Sequence, residues 1–136
     1  MTFVERCLYE YKANVAAVEI LTLEIENLMS VNGHKYDASM SNAIPDPVSD
    51  TAARKINLEN KIVRLRQLIR PVEKLKADLA GDSLRIQQMR EILVMKYINQ
   101  EGNEHTQEKM AVSSRTFWRR VKELLQLAKK YFGDGE

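Results

Sequence analysis

Residues 113–125 read SSRTFWRRVKELL, and the spacing of their apolar members decides what kind of element this is. Phe117, Val121, Leu124 and Leu125 recur at three- and four-residue intervals, which marks one face of an α-helix. Ser113 stands where its side-chain oxygen can accept from the unpaired N–H groups of a first turn, so a helix is expected from Ser114 to about Phe132. The same period turns Ser114, Arg115, Trp118, Arg119 and Lys122 to the opposite side. An apolar back and a basic front suit a helix that enters the major groove of B-DNA, where guanidinium groups bond phosphates or guanine edges. The segment is read as a DNA-reading helix.

Working outward, the rest of the chain has the composition of an all-α protein. Its 136 residues include only five glycines and three prolines, and no stretch alternates apolar and polar residues long enough to build a sheet. The formal net charge of +2 is uninformative, but its distribution is not. Residues 1–30 hold five acids against Arg6 and Lys12, a net of −3, whereas residues 51–79 come to +5 and residues 104–132 to +4. The acidic first helix therefore has one basic helix to pair with, and the second basic segment is left for an external partner. Cys7 is the only cysteine, which excludes an intrachain disulfide and suggests a reducing cytoplasm. Acids and tyrosine in MTFVERCLYEYK break any signal-peptide core, and no segment has the run of apolar residues a membrane span needs.

Two long helices are expected before the basic segment. In residues 1–30, Val4, Cys7, Tyr11, Asn14, Val18, Leu21, Ile25 and Leu28 follow one another at alternating three- and four-residue steps. This heptad seam must find a partner helix, and it is the candidate oligomerisation seam. Asn14, its one polar member, either fixes register or lies where the seam is partly open. Residues 31–49 lose the period and are read as a flexible linker, with His34 and Tyr36 as loop residues. A second helix over 50–80, capped by Ser49 or Asp50, carries Ala53, Ile56, Leu58, Ile62, Leu65, Ile69 and Val72, with a kink or fresh start at Pro71. An antiparallel hairpin needs the least reach from the linker.

Residues 82–132 follow the order of a helix-turn-helix unit: a supporting helix over 84–98, a scaffold helix over 104–110, a turn at Ala111, Val112 and Ser113, and the reading helix. Gly81 is expected to stop the preceding helix and Asp82 or Ser83 to cap the next. Arg115 and Arg119 are assigned to base edges, and Arg120, Lys122 and Lys109 to phosphates. Trp118 either packs on a thymine methyl or sugar, or is buried against the supporting helix. The arginines also fit an ordinary solvated face.

Two stretches, SDTAARKINLE at 49–59 and VSSRTFWRRVKELLQLA at 112–128, resemble the RinA/ArpU-type phage late-gene transcriptional regulators, whose C-terminal unit is similar to the helix-turn-helix of sigma factor region 4. The resemblance implies a phage or prophage activator of late operons that acts on promoter DNA with the host RNA polymerase. One departure is Thr106 and Gln107, where the scaffold helix usually holds an apolar and then a small residue. That predicts weak docking of the scaffold helix and dependence on the hairpin.

No phosphate-binding glycine loop, no Cys or His pair at metal-ligand spacing and no nucleophile triad is present, so neither an enzyme nor a cofactor or metal protein is expected. Two functions compete. The first is a dimeric, sequence-specific DNA-binding regulator. The second is an assembly, packaging or adaptor protein of small terminase type that works through its hairpin. In a further variant of the first, the acidic helix contacts the polymerase.

Overall fold

A computed structural model of the chain describes the backbone of residues 1–38 and 47–133, and the side chains of residues 1–29 and 50–133. Among the described residues every regular element is helical: α1 (Phe3–Ala38), α2 (Pro47–Asp78), α3 (Leu84–Ile92) continued by a π-helical segment (Leu93–Ile98), α4 (Asn103–Met110) and α5 (Ser114–Phe132). The all-α class expected from composition is observed.

The two long helices run further than their periodicity suggested. α1 continues to Ala38 and α2 begins at Pro47, so most of the stretch read as a linker over 31–49 is helical, and its remainder, 39–46, lies outside the described residues. Gly33 costs a helix interior only about 1 kcal/mol relative to alanine, and proline is well placed at a first helical position, where its missing N–H is no loss. Ser49 and Asp50 thus fall inside the first turn instead of capping it. The side chains of His34 and Tyr36 are outside the described residues. α2 also passes unbroken through Pro71, with no fresh start there.

The chain divides into two compact units, Met1–Asn14 with Leu68–Glu136, and Val15–Gln67. Residues 82–132, expected as the helix-turn-helix segment, share their unit with the first turns of α1 and the last turns of α2. Helices of 9, 8 and 19 residues cannot enclose a core by themselves, and the ends of the long helices complete it. Val4 and Leu8 of α1 and Val72, Leu75 and Leu79 of α2 belong to one buried cluster with Met89, Ile92, Leu93, Tyr97, Phe117, Val121, Leu124 and Ala128. Tyr11 lies beside Glu73 and 5.5 Å below the Lys76 ammonium, whereas the later Leu28 shares a groove with the earlier Arg54 and Leu58, so α1 and α2 pair antiparallel; the Tyr11 hydroxyl pKa is pushed up, first by burial and then by the Glu73 carboxylate.

The seam of α1 packs within the chain to different depths along its length. Val4 and Cys7 are fully buried, and Tyr11, Asn14, Val18, Leu21, Ile25 and Leu28 are half-buried. Asn14 neither lies open nor bonds across the seam: its Nδ2 is buried and has no hydrogen-bond partner. On α2, Leu58, Ile62, Leu65, Ile69 and Val72 face inward as expected, but Ala53 and Ile56 face out.

The corner between α2 and α3 is held by side chains. Ser83, not Asp82, caps α3, its Oγ accepting from Ile86 N at 3.2 Å. Gly81 lets Ile86 pack close: a Cβ there would stand 3.1 Å from Ile86 Cδ1 and push that side chain back by a few tenths of an ångström. Arg90 donates through Nη1 to the carbonyls of Leu79 at 2.6 Å and Gly81 at 3.1 Å, closing the end of α2.

Two outcomes follow from the shared core. Leu75→Ala, at a position with no exposure, is expected to cost about 2–5 kcal/mol in urea denaturation. The isolated segment 82–136 is expected to show no cooperative thermal transition by circular dichroism, whereas the full chain shows one.

Candidate nucleic-acid interface

α5 starts where its sequence says it should. Ser113 Oγ accepts from Thr116 N at 3.2 Å and lies 3.1 Å from Thr116 Oγ1, satisfying one of the free donors of the first turn. Before it, Ala111 takes a left-handed conformation (φ 56°, ψ 46°) and its N–H closes α4 on the carbonyls of Gln107 and Glu108. Val112 packs against the core, and Phe117, Val121, Leu124 and Ala128 seat the helix.

Docking of α4 is firmer than Thr106 and Gln107 suggested. Thr106 is fully buried, but its Oγ1 donates to Gly102 O at 2.7 Å, so the hydroxyl carries no desolvation penalty into the core. Gln107 Nε2 reaches Val112 O at 3.4 Å and ties α4 to the turn.

With the back of α5 seated, Ser114, Arg115, Trp118, Arg119 and Lys122 are exposed together on its front, as the period required. Gln126 and Lys129, absent from the expected set, are exposed and extend the same strip by one turn each. The one acid of α5, Glu123, is drawn off to the side. Its Oε2 meets Arg85 Nη2 at 2.5 Å and its Oε1 meets Arg120 Nη1 at 2.6 Å. The front is thus a run of cations with no carboxylate of its own helix among them.

Two of the expected phosphate ligands are occupied elsewhere. Arg120 is 16 % exposed in its side chain, donating through Nε to Gln88 Oε1 at 2.8 Å as well as to Glu123, so it clamps α5 to α3. Lys109 sits 3.2 Å from Glu101 Oε1, which also meets His105 Nε2 at 3.1 Å. The Lys109 hydrogen bond is the main cause that holds the Glu101 carboxyl below the ordinary carboxylate range. Periodicity assigns a residue to a face and is silent on partners brought in from another helix.

Trp118 is neither free nor buried. Its ring is 46 % exposed, stands edge-on to Phe117 at 5.1 Å, and lies 5.9 Å from the Lys96 ammonium. Lys96 went unnoticed in sequence because it sits within the apolar run LVMKYI. It is 7 % exposed, donates to Tyr9 Oη at 2.7 Å, and lies over the rings of Tyr97 at 4.6 Å and Tyr9 at 5.3 Å. Three aromatic faces thus hold one buried ammonium behind the front of α5. Tyr97 Oη is buried without a hydrogen-bond partner, and burial foremost pushes its pKa far above that of free tyrosine. A second link joins the same elements: Gln100 Nε2 donates to Tyr9 O at 2.8 Å.

Beside the front, an open groove between α4 and α5 is lined by Glu101, Glu104, His105, Gln107, Ser114 and Trp118. Among the described residues no group of acids, histidines or cysteine is placed to hold a metal ion, and no helix is long and apolar enough to cross a membrane. Compared with family models, curated proteins and solved structures, the chain matches none. The class that geometry defines is an all-α protein with an exposed basic helix on a core closed by a helical hairpin.

The clamp has a measurable signature. Arg120→Ala is expected to lower stability by about 1–3 kcal/mol, because it strips Gln88 and Glu123 of a charged donor, while the urea m-value stays unchanged. A loss of nucleic-acid affinity with no loss of stability would instead place Arg120 in the interface.

Proposed function

We propose that this chain is a sequence-specific, double-stranded-DNA-binding regulator of transcription that lays α5 in the major groove as the second helix of a helix-turn-helix formed with α4. One observation carries the reading: Arg115, Arg119 and Lys122 stand exposed on one helix face with no ion-pair or hydrogen-bond partner among the described residues, while the acid of that helix is held aside by Arg85 and Arg120. Arg115 and Arg119, in the first turns of α5, are positioned for base edges, and guanine is the base whose O6 and N7 suit a guanidinium fork. Ser114 and Trp118 flank them, Trp118 offering its exposed edge to a thymine methyl or a sugar. Lys122 takes a phosphate, and Lys129 joins it one and a half to two turns on. Lys96, Tyr9 and Tyr97 act on Trp118 from behind and serve as positioning residues.

The resemblance of residues 112–128 to the late-gene regulators of phages supports an activating role at promoters, with RNA polymerase as the protein partner. The exposed acids Glu19, Glu24 and Glu26 of α1 are the surface available for that contact. A second reading, an assembly or packaging subunit of small terminase type, is favoured by a separate observation: Ile20, Leu23, Ile56 and Val63 are each more than half exposed on the hairpin.

Fluorescence anisotropy with promoter and scrambled duplexes across a salt series separates the two. A regulator loses affinity steeply with salt and prefers one sequence; Arg115→Ala with Arg119→Ala removes the preference, and Lys122→Ala reduces the salt slope by about one. No binding at low salt would refute the regulator and favour the assembly reading.

A further inference from the structure

Lys96 is the one charged side chain buried among the described residues, in the π-helical segment beside Leu93 and Tyr97, which have no exposed surface. Its ammonium donates to Tyr9 Oη at 2.7 Å and forms no ion pair among the described residues. Burial, and then the charge of Glu5, raise the hydroxyl pKa of Tyr97, but the Glu5 carboxylate accepts from Thr2 and not from the ammonium. Taking an ammonium out of water is costly, and one hydrogen bond to a neutral hydroxyl with three ring contacts offsets that in part. Methionine has nearly the same reach and no charge, so for packing alone it would serve at least as well.

What the ammonium adds is a fixed attraction on the rings around it. It lies 4.6 Å from the ring centre of Tyr97, 5.3 Å from that of Tyr9 and 5.9 Å from that of Trp118. Tyr9 and Tyr97 are packed on each other at 4.7 Å. Trp118 is the exposed member of the set, and its other aromatic neighbour is Phe117, edge-on at 5.1 Å. No hydrogen bond holds the Trp118 indole among the described residues. The tilt of the ring on the front of α5 therefore rests on Phe117 at one edge and on the pull of the ammonium from behind.

The ammonium is in turn fixed from α1. Tyr9 is gripped twice, at its hydroxyl by Lys96 and at its carbonyl by Gln100 Nε2 at 2.8 Å. Gln100 takes φ 54°, a left-handed conformation uncommon for a residue with a Cβ, and from there its amide meets Tyr9 O. A continuous set of contacts runs from α1 through Lys96 to the exposed ring. Trp118 stands in the same row as Arg115 and Arg119, so where those two take base edges the ring meets base edges as well. The feature of a base edge that an indole can use is the thymine methyl.

We infer that Lys96 is a positioning residue for sequence preference at one base pair: without touching DNA, it holds the Trp118 ring against a thymine methyl, and Tyr9 makes that hold depend on α1. The inference rests on the reading of α5 as a DNA-reading helix and commits Trp118 to a methyl and not to a sugar.

The test uses the full chain and the duplex it selects from a random-sequence library, with each thymine replaced in turn by deoxyuridine, which removes the methyl alone. One replacement weakens the unaltered chain about four-fold, the worth of one buried methyl, and Trp118→Ala abolishes that penalty. Lys96→Met abolishes it too, while its salt slope stays unchanged, because no phosphate contact is lost, and its urea midpoint does not fall. Tyr9→Phe, which keeps the ring and removes the bond to the ammonium, lowers the same penalty. A chain that selects no duplex overturns the regulator reading and this inference with it. A chain that selects one duplex, but whose deoxyuridine penalties are all unmoved by Trp118→Ala, or by both Lys96→Met and Tyr9→Phe, overturns the inference alone.

Discussion

Phe117 has no exposed surface, and what covers it sets the architecture. α5 has to bury an apolar back formed by Phe117, Val121, Leu124 and Ala128, and α3 and α4 are too short to cover it. The missing walls come from the first turns of α1 and the last turns of α2. Hydrophobic burial is non-directional, so it demands cover without naming the source. The fold answers by bringing residues more than a hundred positions apart into one cluster. The direction in which the front of α5 points is thus fixed by the ends of the hairpin.

Polar contacts refine what the core sets up. Glu123 has two guanidinium partners, Arg85 on α3 and Arg120 on α5 itself, and Arg120 also reaches Gln88. This network does two things at once. It resists sliding of α5 along α3, since a shift of a fraction of an ångström lengthens several charged hydrogen bonds together. It also removes the single acid of α5 from the neighbourhood of Arg115, Arg119 and Lys122, which leaves their field uncancelled. Lys96 adds a third constraint from the α1 side, because its ammonium can keep three aromatic contacts only while Tyr9, Tyr97 and Trp118 hold their places.

What was legible in the sequence and what was not separate along a physical line. The span of α5, its Ser113 cap, its buried Phe117 and its exposed Arg115 and Arg119 depend on interactions within a few residues, and local period carries them. The α1 seam was legible as a seam, but Val4 and Cys7 look the same whether they meet the same chain or another. That Arg120 and Lys109 have partners within the chain is not legible in local period, because Gln88 and Glu101 reach them from other elements. Gly33 and Pro47 were read as punctuation, yet both fit a helix at small cost when the flanking turns are strong. Thr106 was read as a defect, although a hydroxyl that bonds its own preceding turn is compatible with burial.

Asn14 brings these threads to one position. Its Nδ2 is buried without a partner, a state that costs about 1–3 kcal/mol, and Asn14 is the last α1 residue of the first unit. On α2, Pro71 has no N–H for the carbonyl of Gln67, and Gln67 is the last residue of the second unit. Neither loss breaks a helix, since α1 and α2 continue through both points. Burial within each unit differs: Leu8 and Leu75 of the first have no exposure, whereas in Val15–Gln67 Ile62 alone among the described side chains is less than a tenth exposed.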